Sequence, residues 1–119
     1  MNFNELSEFR RECKRLGKKY RSLLNDMQGF KNDLQNFEDV ISVTPLGNSK
    51  HFNIVTQTES AKIIKARFFC RYLKGSSLRI MYSYIKEKKR IDFIELYFKG
   101  DKENENKERI KKYLKSLDA

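Results

Sequence analysis

Residues 63–99 read IIKARFFCRYLKGSSLRIMYSYIKEKKRIDFIELYFK. Apolar and polar side chains alternate along this stretch, as they do in half-buried strands whose neighbouring residues point to opposite faces of a sheet. Ile63–Leu73 sets Ile64, Ala66, Phe68, Cys70 and Tyr72 on one face and Lys65, Arg67, Phe69 and Arg71 on the other. Leu78–Lys86 sets Leu78, Ile80, Tyr82 and Tyr84 against Arg79, Met81, Ser83 and Ile85. Ile91–Lys99 sets Ile94, Leu96 and Phe98 against Phe93, Glu95, Tyr97 and Lys99. The links Lys74-Gly75-Ser76-Ser77 and Glu87-Lys88-Lys89-Arg90 are short enough for hairpin turns, so the three strands form an antiparallel meander.

The preceding residues follow another period. Leu6, Phe9, Cys13, Leu16, Tyr20, Leu23, Met27, Phe30, Leu34 and Phe37 recur at alternating spacings of 3 and 4, which draws one apolar stripe along a helix. A single helix of about 30 residues in a coiled coil is one solution. Local signals favour a helical hairpin instead. Ser7 is placed as an N-cap, Gly17 as a left-handed C-terminal cap before Lys18 and Lys19, and Ser22 as the cap of a second helix with Asp26 in its first turns. Pro45, Gly47 and Asn48 then punctuate a polar stretch, and His51–Val55 reads as a short strand. His51, the only histidine, reads as a surface or hydrogen-bonded residue. Within Asp101–Leu117, Ile110, Tyr113, Leu114 and Leu117 are spaced for a short C-terminal helix that covers a sheet edge or docks elsewhere. The expected fold is α+β: an N-terminal helical hairpin packed on a three- or four-stranded antiparallel sheet, with a short C-terminal helix, in a single domain over residues 1–119.

Composition narrows the function. The chain carries 26 Lys+Arg against 16 Asp+Glu, a net charge of +10. Residues 61–90 hold ten of those cations with Glu87 as their only acid. So localised an excess is the footprint of a phosphate-bearing partner, because neutralising phosphates releases counterions. No stretch approaches the roughly 20 apolar residues of a membrane helix, and the first residues have no apolar run of the signal-peptide kind. A cytoplasmic protein with no membrane contact is expected. Cys13 and Cys70 read as buried thiols rather than as a disulfide framework.

The polar sheet face is expected to be open and to carry Lys65, Arg67, Arg71, Arg79 and Lys99 beside Phe69 and Tyr97. Cations among aromatic rings suit single-stranded nucleic acid, since bases stack while phosphates pair. No phosphate-binding glycine loop, dinucleotide fingerprint, zinc-protease motif or Cys/His metal spacing is present, so neither metal nor cofactor is expected. A cationic face can still cleave RNA. The 2′-hydroxyl attacks the adjacent phosphorus, an Arg fork stabilises the phosphorane, and Lys or Tyr moves the proton if neighbouring cations depress its pKa.

Several stretches resemble the RelE/ParE toxin superfamily. Leu6-Ser7-Glu8-Phe9-Arg10-Arg11-Glu12-Cys13-Lys14-Arg15-Leu16-Gly17-Lys18-Lys19-Tyr20-Arg21-Ser22-Leu23 is similar to its opening helices. Ile64-Lys65-Ala66-Arg67 is similar to its K-x-R strand, Gly75-Ser76-Ser77-Leu78-Arg79-Ile80-Met81-Tyr82 to its central hairpin, and Phe93-Ile94-Glu95-Leu96-Tyr97-Phe98-Lys99-Gly100-Asp101-Lys102-Glu103 to its final strand. The resemblance implies the toxin of a type II toxin–antitoxin pair, held by a cognate protein antitoxin. A RelE-like member would cut mRNA in the ribosomal A site of the 30S subunit; a ParE-like member would poison gyrase; a non-catalytic RNA- or ribosome-binding module is the third reading. The catalytic positions map to Arg79, Lys65, Arg67 and Lys99, and substrate binding to Arg71, Lys74, Phe69 and Tyr97. Two departures stand out. Glu103, Asn104 and Glu105 stand where some RelE enzymes carry a Tyr, and Ser77 replaces the second hairpin glycine. Tyr97 is the candidate substitute for the missing Tyr.

Overall fold

The structure, a computed structural model, describes residues 1–36, 52–73 and 75–118. Lys74, the expected link at Pro45, Gly47 and Asn48, Phe37 and His51 lie outside the described residues. Strand β1 (Asn2–Glu5) leads into helices α1 (Ser7–Lys19) and α2 (Leu23–Asn36), followed by β2 (Phe52–Gln57), β3 (Lys62–Cys70), a single tight turn of helix at Arg71–Leu73, β4 (Gly75–Ile85), β5 (Arg90–Phe98) and α3 (Lys107–Asp118). The sheet order is β1-β5-β4-β3-β2.

The α+β class and the helical hairpin stand, and the sheet gains a strand. Strands β2 to β5 are antiparallel, while β1 lies parallel to β5 with Asn2 opposite Arg90 and Glu5 opposite Phe93. Asn2–Glu5 has two Asn and one Glu among four residues, so nothing in its composition advertises a strand; pairing with the sheet edge supplies its hydrogen bonds.

Helices α1 and α2 cover one face. Phe9 is fully buried with its ring 5.2 Å from that of Phe93, and Phe30 sits 5.6 Å from Phe68. Leu16, Leu23, Met27 and Leu34 join Ile64, Ala66, Phe68, Leu78, Ile80, Tyr82 and Leu96 in the same core. The helix ends differ from expectation. Leu6, not Ser7, is the extended residue before α1, and Ser7 Oγ donates to Glu8 instead of capping. Gly17 lies inside α1, which runs on to Lys19 and ends in an extended Tyr20. Ser22 does stand before α2, yet its hydroxyl donates to Asp26 at 2.7 Å and accepts the Tyr72 N–H at 2.9 Å. It ties α2 to the turn after β3, which carries Tyr72 out of the strand and leaves it exposed.

The second face is not wholly open, contrary to expectation. Ile110, Tyr113, Leu114 and Leu117 of α3 pack on Ile63, Met81 and Ile94. Tyr113 Oη donates to the buried Asp92 carboxylate at 2.6 Å. A bulge brings Ile94 there: Met81 pairs with Glu95 while Tyr82 pairs with Phe93, which leaves Ile94 as the extra residue. Two successive residues, Ile94 and Glu95, then share the α3 side. This exchanges Phe93 and Ile94 relative to strict alternation and puts Phe93 under Phe9.

Candidate functional site

Beyond the part of the second face that α3 covers, the strand register assembles a polar row. Arg67 of β3 pairs with Arg79 of β4, which pairs with Tyr97 of β5. Directly opposed residues of antiparallel strands share a face and sit about 5 Å apart. The adjacent row on this face is Lys65, Met81 and Glu95. Three of the five expected cations, Lys65, Arg67 and Arg79, are thus brought together by hydrogen-bonded strands rather than by loops.

Two like charges opposite each other destabilise a sheet, and the chemistry of Arg79 registers it. Burial, then the Arg67 charge, lower the Arg79 pKa, against a smaller opposing effect of Tyr97. One Arg79 Nη donates to its neighbour's carbonyl, Leu78 O, at 3.1 Å. Two partly buried guanidiniums in one row form a preorganised seat for an anion with several oxygens, such as a phosphodiester.

The connection from β5 to α3 folds across this seat. Gly100 opens it where the ring of Phe98 leaves no room for a Cβ atom. Lys102 pairs with the buried Glu95 carboxylate and stands 5.1 Å over the Tyr97 ring. The Asn106 N–H also donates to Glu95, at 2.8 Å. Between these two anchors, Glu105 reaches back to Lys65, Oε1 to Nζ, at 3.4 Å. Sequence reasoning did not select Glu95, Lys102 or Glu105. Glu95 was legible as a member of the polar face, whereas Lys102 and Glu105 lie in a connection with no periodicity to place them.

The remaining candidates sit elsewhere. Arg71 belongs to the turn after β3, where its backbone N–H and Nε both donate to Asp26 of α2, at 2.9 and 3.0 Å. Phe69 is exposed near the end of β3, beside the irregularity between Phe68 and Cys70. Lys99 lies past the end of β5, exposed in the turn. Tyr97 is in the row, but its side chain is buried and its ring is covered by Lys102, so it offers no stacking surface in this conformation. Burial, reinforced by Glu105 and Glu95, pushes its hydroxyl up to about 12, and Arg79 only partly offsets this. That shift is opposite to the one a Tyr base would need.

Among the described residues, no group of three His, Cys, Asp or Glu could hold a metal ion, and no helix is long and apolar enough to cross a membrane. Cys13 and Cys70 are free thiols. Cys70 is buried as expected, whereas Cys13 is only partly buried; burial, then Glu5 and Glu12, push its pKa up to about 12, which disfavours the reactive thiolate.

A scan against protein-family models and a search of curated proteins each give no match. Among solved structures, the chain is similar to a crystal structure described as the archaeal RelE–RelB complex from Pyrococcus horikoshii OT3. The identity is 19% and the TM-score 0.49, over 83% of this chain and 94% of that chain. No residue role, partner or activity is carried to this chain from a likeness of that size.

Proposed function

We propose that the chain, read as one domain over residues 1–119, is the toxin of a type II toxin–antitoxin pair: a metal-independent endoribonuclease that cuts mRNA in the ribosomal A site. The observation that carries this reading is the Arg67–Arg79 register pair with Lys65 on the same face. The motif resemblance points to these same three residues. RNA contains its own nucleophile, so the protein has only to hold the phosphate, stabilise the charge of the phosphorane and move a proton. Arg79 braces the non-bridging oxygens with its planar fork, Arg67 shares the developing charge, and Lys65 holds the neighbouring backbone. Removing such a donor from a reacting anion costs on the order of 10²–10³ in rate.

The cognate antitoxin fits as an acidic segment laid over the same face, neutralising the cations and excluding substrate together. The test is Arg79→Ala expressed in cells. Growth arrest and mRNA cleavage should vanish while the melting temperature stays nearly unchanged. A fully toxic Arg79→Ala would overturn the ribonuclease reading and favour a protein target such as gyrase. One observation favours a second reading, an RNA- or ribosome-binding module: the raised Tyr97 hydroxyl is unsuited to serve as the base. Binding to ribosomes without any cut in the message would select that reading.

A further inference from the structure

The exposed residues of α1 are Ser7 and six cations: Arg10, Arg11, Lys14, Arg15, Lys18 and Lys19. Burial of Phe9 and Leu16 against the sheet turns this face outward, on the side away from the Arg67–Arg79 row. The two acids of the helix offset little of the charge: Glu12 is engaged by Arg109, and Glu8 stands in the first turn. Arg10 reaches Glu5 at 3.4 Å, and none of the other five has an ion pair among the described residues. By contrast, Lys65, Arg71 and Arg90 of the cation-rich stretch 61–90 each pair with an acid. Folding thus neutralises part of the charge in the strands and leaves most of that on α1 uncompensated. Helix stability does not account for it. Arg10–Lys14, Lys14–Lys18, Arg11–Arg15 and Arg15–Lys19 are like charges four residues apart, which repel on a helix surface. The helix dipole favours Lys18 and Lys19 in the last turn, but Arg10 and Arg11 stand toward its positive end.

The six fall in two ridges, Arg10–Lys14–Lys18 and Arg11–Arg15–Lys19, with a charge every ~6 Å along each. Three kinds of polyanion are available to such a face. A protein interface needs an apolar centre, and the exposed positions of α1 offer none. A single strand binds by stacking on aromatic rings, and no aromatic residue of α1 is exposed. A duplex backbone needs neither. The major groove of A-form RNA is deep and narrow, so two rows of phosphate stand close together and side chains do not read the bases. We propose that α1 lies along that groove of an RNA duplex, with Arg10, Lys14 and Lys18 on the phosphates of one strand and Arg11, Arg15 and Lys19 on those of the other. Recognition is by shape and charge rather than by sequence. With an unpaired strand on the Arg67–Arg79 face, the chain then bridges a single-stranded and a duplex segment of RNA from opposite sides of its sheet. The inference rests on the RNA partner of the reading above but not on cleavage.

The test measures binding of the intact chain to blunt RNA duplexes of about 16 base pairs, the length that a double-stranded-RNA domain spans. Wild type should bind two duplexes of unrelated sequence alike, and each more tightly than B-form DNA of the same sequence. Arg11→Gln, Lys14→Gln, Arg15→Gln and Lys18→Gln combined should lower duplex affinity at least about tenfold and make the slope of log affinity against log salt shallower by about 4. The melting temperature of this variant should be no lower than that of wild type, since repelling pairs have been removed. Arg79→Ala should bind the duplex as wild type does. Duplex affinity that is unchanged in the combined variant, or lost equally in Arg79→Ala, overturns the inference. So does a combined variant that melts earlier, which would make these cations structural. DNA bound as tightly as RNA overturns the A-form assignment, and a Glu-rich peptide that binds α1 more tightly than the duplex would make the partner a protein. Duplex binding by a chain that cuts no message upholds the inference and ends the ribonuclease reading. Cutting by a chain that ignores duplex RNA does the reverse.

Discussion

Glu12 and Arg109 form a two-pronged ion pair around the edge of β5, with Nη1–Oε1 at 2.9 Å and Nη2–Oε2 at 3.0 Å, although α1 and α3 lie on opposite faces of the sheet. Strand β1 covers that edge only from Arg90 to Phe93. Just beyond, Glu12 accepts the Leu96 N–H at 3.1 Å and Arg109 donates to Ile94 O at 2.9 Å. The pair thus takes over the hydrogen bonds that a longer β1 would make, at the same place where the Ile94 bulge interrupts regular pairing. It also pins the start of α3, and with it the connection that brings Glu105 to Lys65.

Arg109→Ala should destabilise the chain by about 2–4 kcal/mol, because it leaves a half-buried carboxylate and a carbonyl without their partner. Glu12→Gln keeps an acceptor for the Leu96 N–H and should cost less. Urea unfolding of both single variants and of the double variant measures the coupling. Additive effects would show that the two side chains act independently.

Arg79→Lys should recover little of the cleavage lost in Arg79→Ala. An ammonium keeps the charge but not the planar fork that grips two phosphate oxygens. Rates on programmed ribosomes decide this, and full recovery by Lys would mean that charge alone is used.

RNA binding by the free chain should weaken steeply with salt, since each neutralised phosphate releases counterions. With Lys65, Arg67 and Arg79 on one face, a plot of log affinity against log salt should have a slope of about −2 for a single-stranded ligand. Replacing Arg67 with Ala should make that slope shallower. A flat response would place the contacts elsewhere.

Asp26 gives an acid-sensitive contribution to stability. Burial pushes its carboxyl up, but Ser22 and the backbone and side chain of Arg71 donate to it and hold it below the usual carboxylate range. A depressed folded-state pKa stabilises fully above the unfolded value, about 4, and the benefit is lost as pH falls through the folded value. Asp26→Asn should therefore be less stable than wild type at pH 7, with the gap narrowing below about pH 4. Thermal unfolding across that range tests it; a gap independent of pH would assign the loss to shape and not to charge.

Much of the site was legible because strand alternation is a local rule. Lys65 and Arg67 share a face by spacing alone, and Arg79 opposes Ile80 in the same way. Alternation assigns faces but not partners, so whether Arg67 meets Arg79 depended on the register of two strands. It also has no means of announcing a bulge, and Ile94 accordingly exchanged roles with Phe93. Arg71 left the row because Asp26 of α2, with Ser22 just before that helix, holds the turn after β3, and the Asp26–Arg71 contact spans 45 residues.

The order of local residues alone pointed to the helical hairpin, the three central strands, the apolar face of β3 and β4 and the concentration of cations, because periodicity and charge are properties of neighbours in the chain. The parallel β1 edge, the seat of α3, the Glu12–Arg109 closure and the placing of Glu105 on Lys65 arose only in the folded molecule. The β1 edge, the Glu12–Arg109 pair and the Glu105–Lys65 pair each join groups at least 40 residues apart, and α3 lays its apolar face on residues of three different strands; such contacts form only after the sheet has given them a surface to meet on.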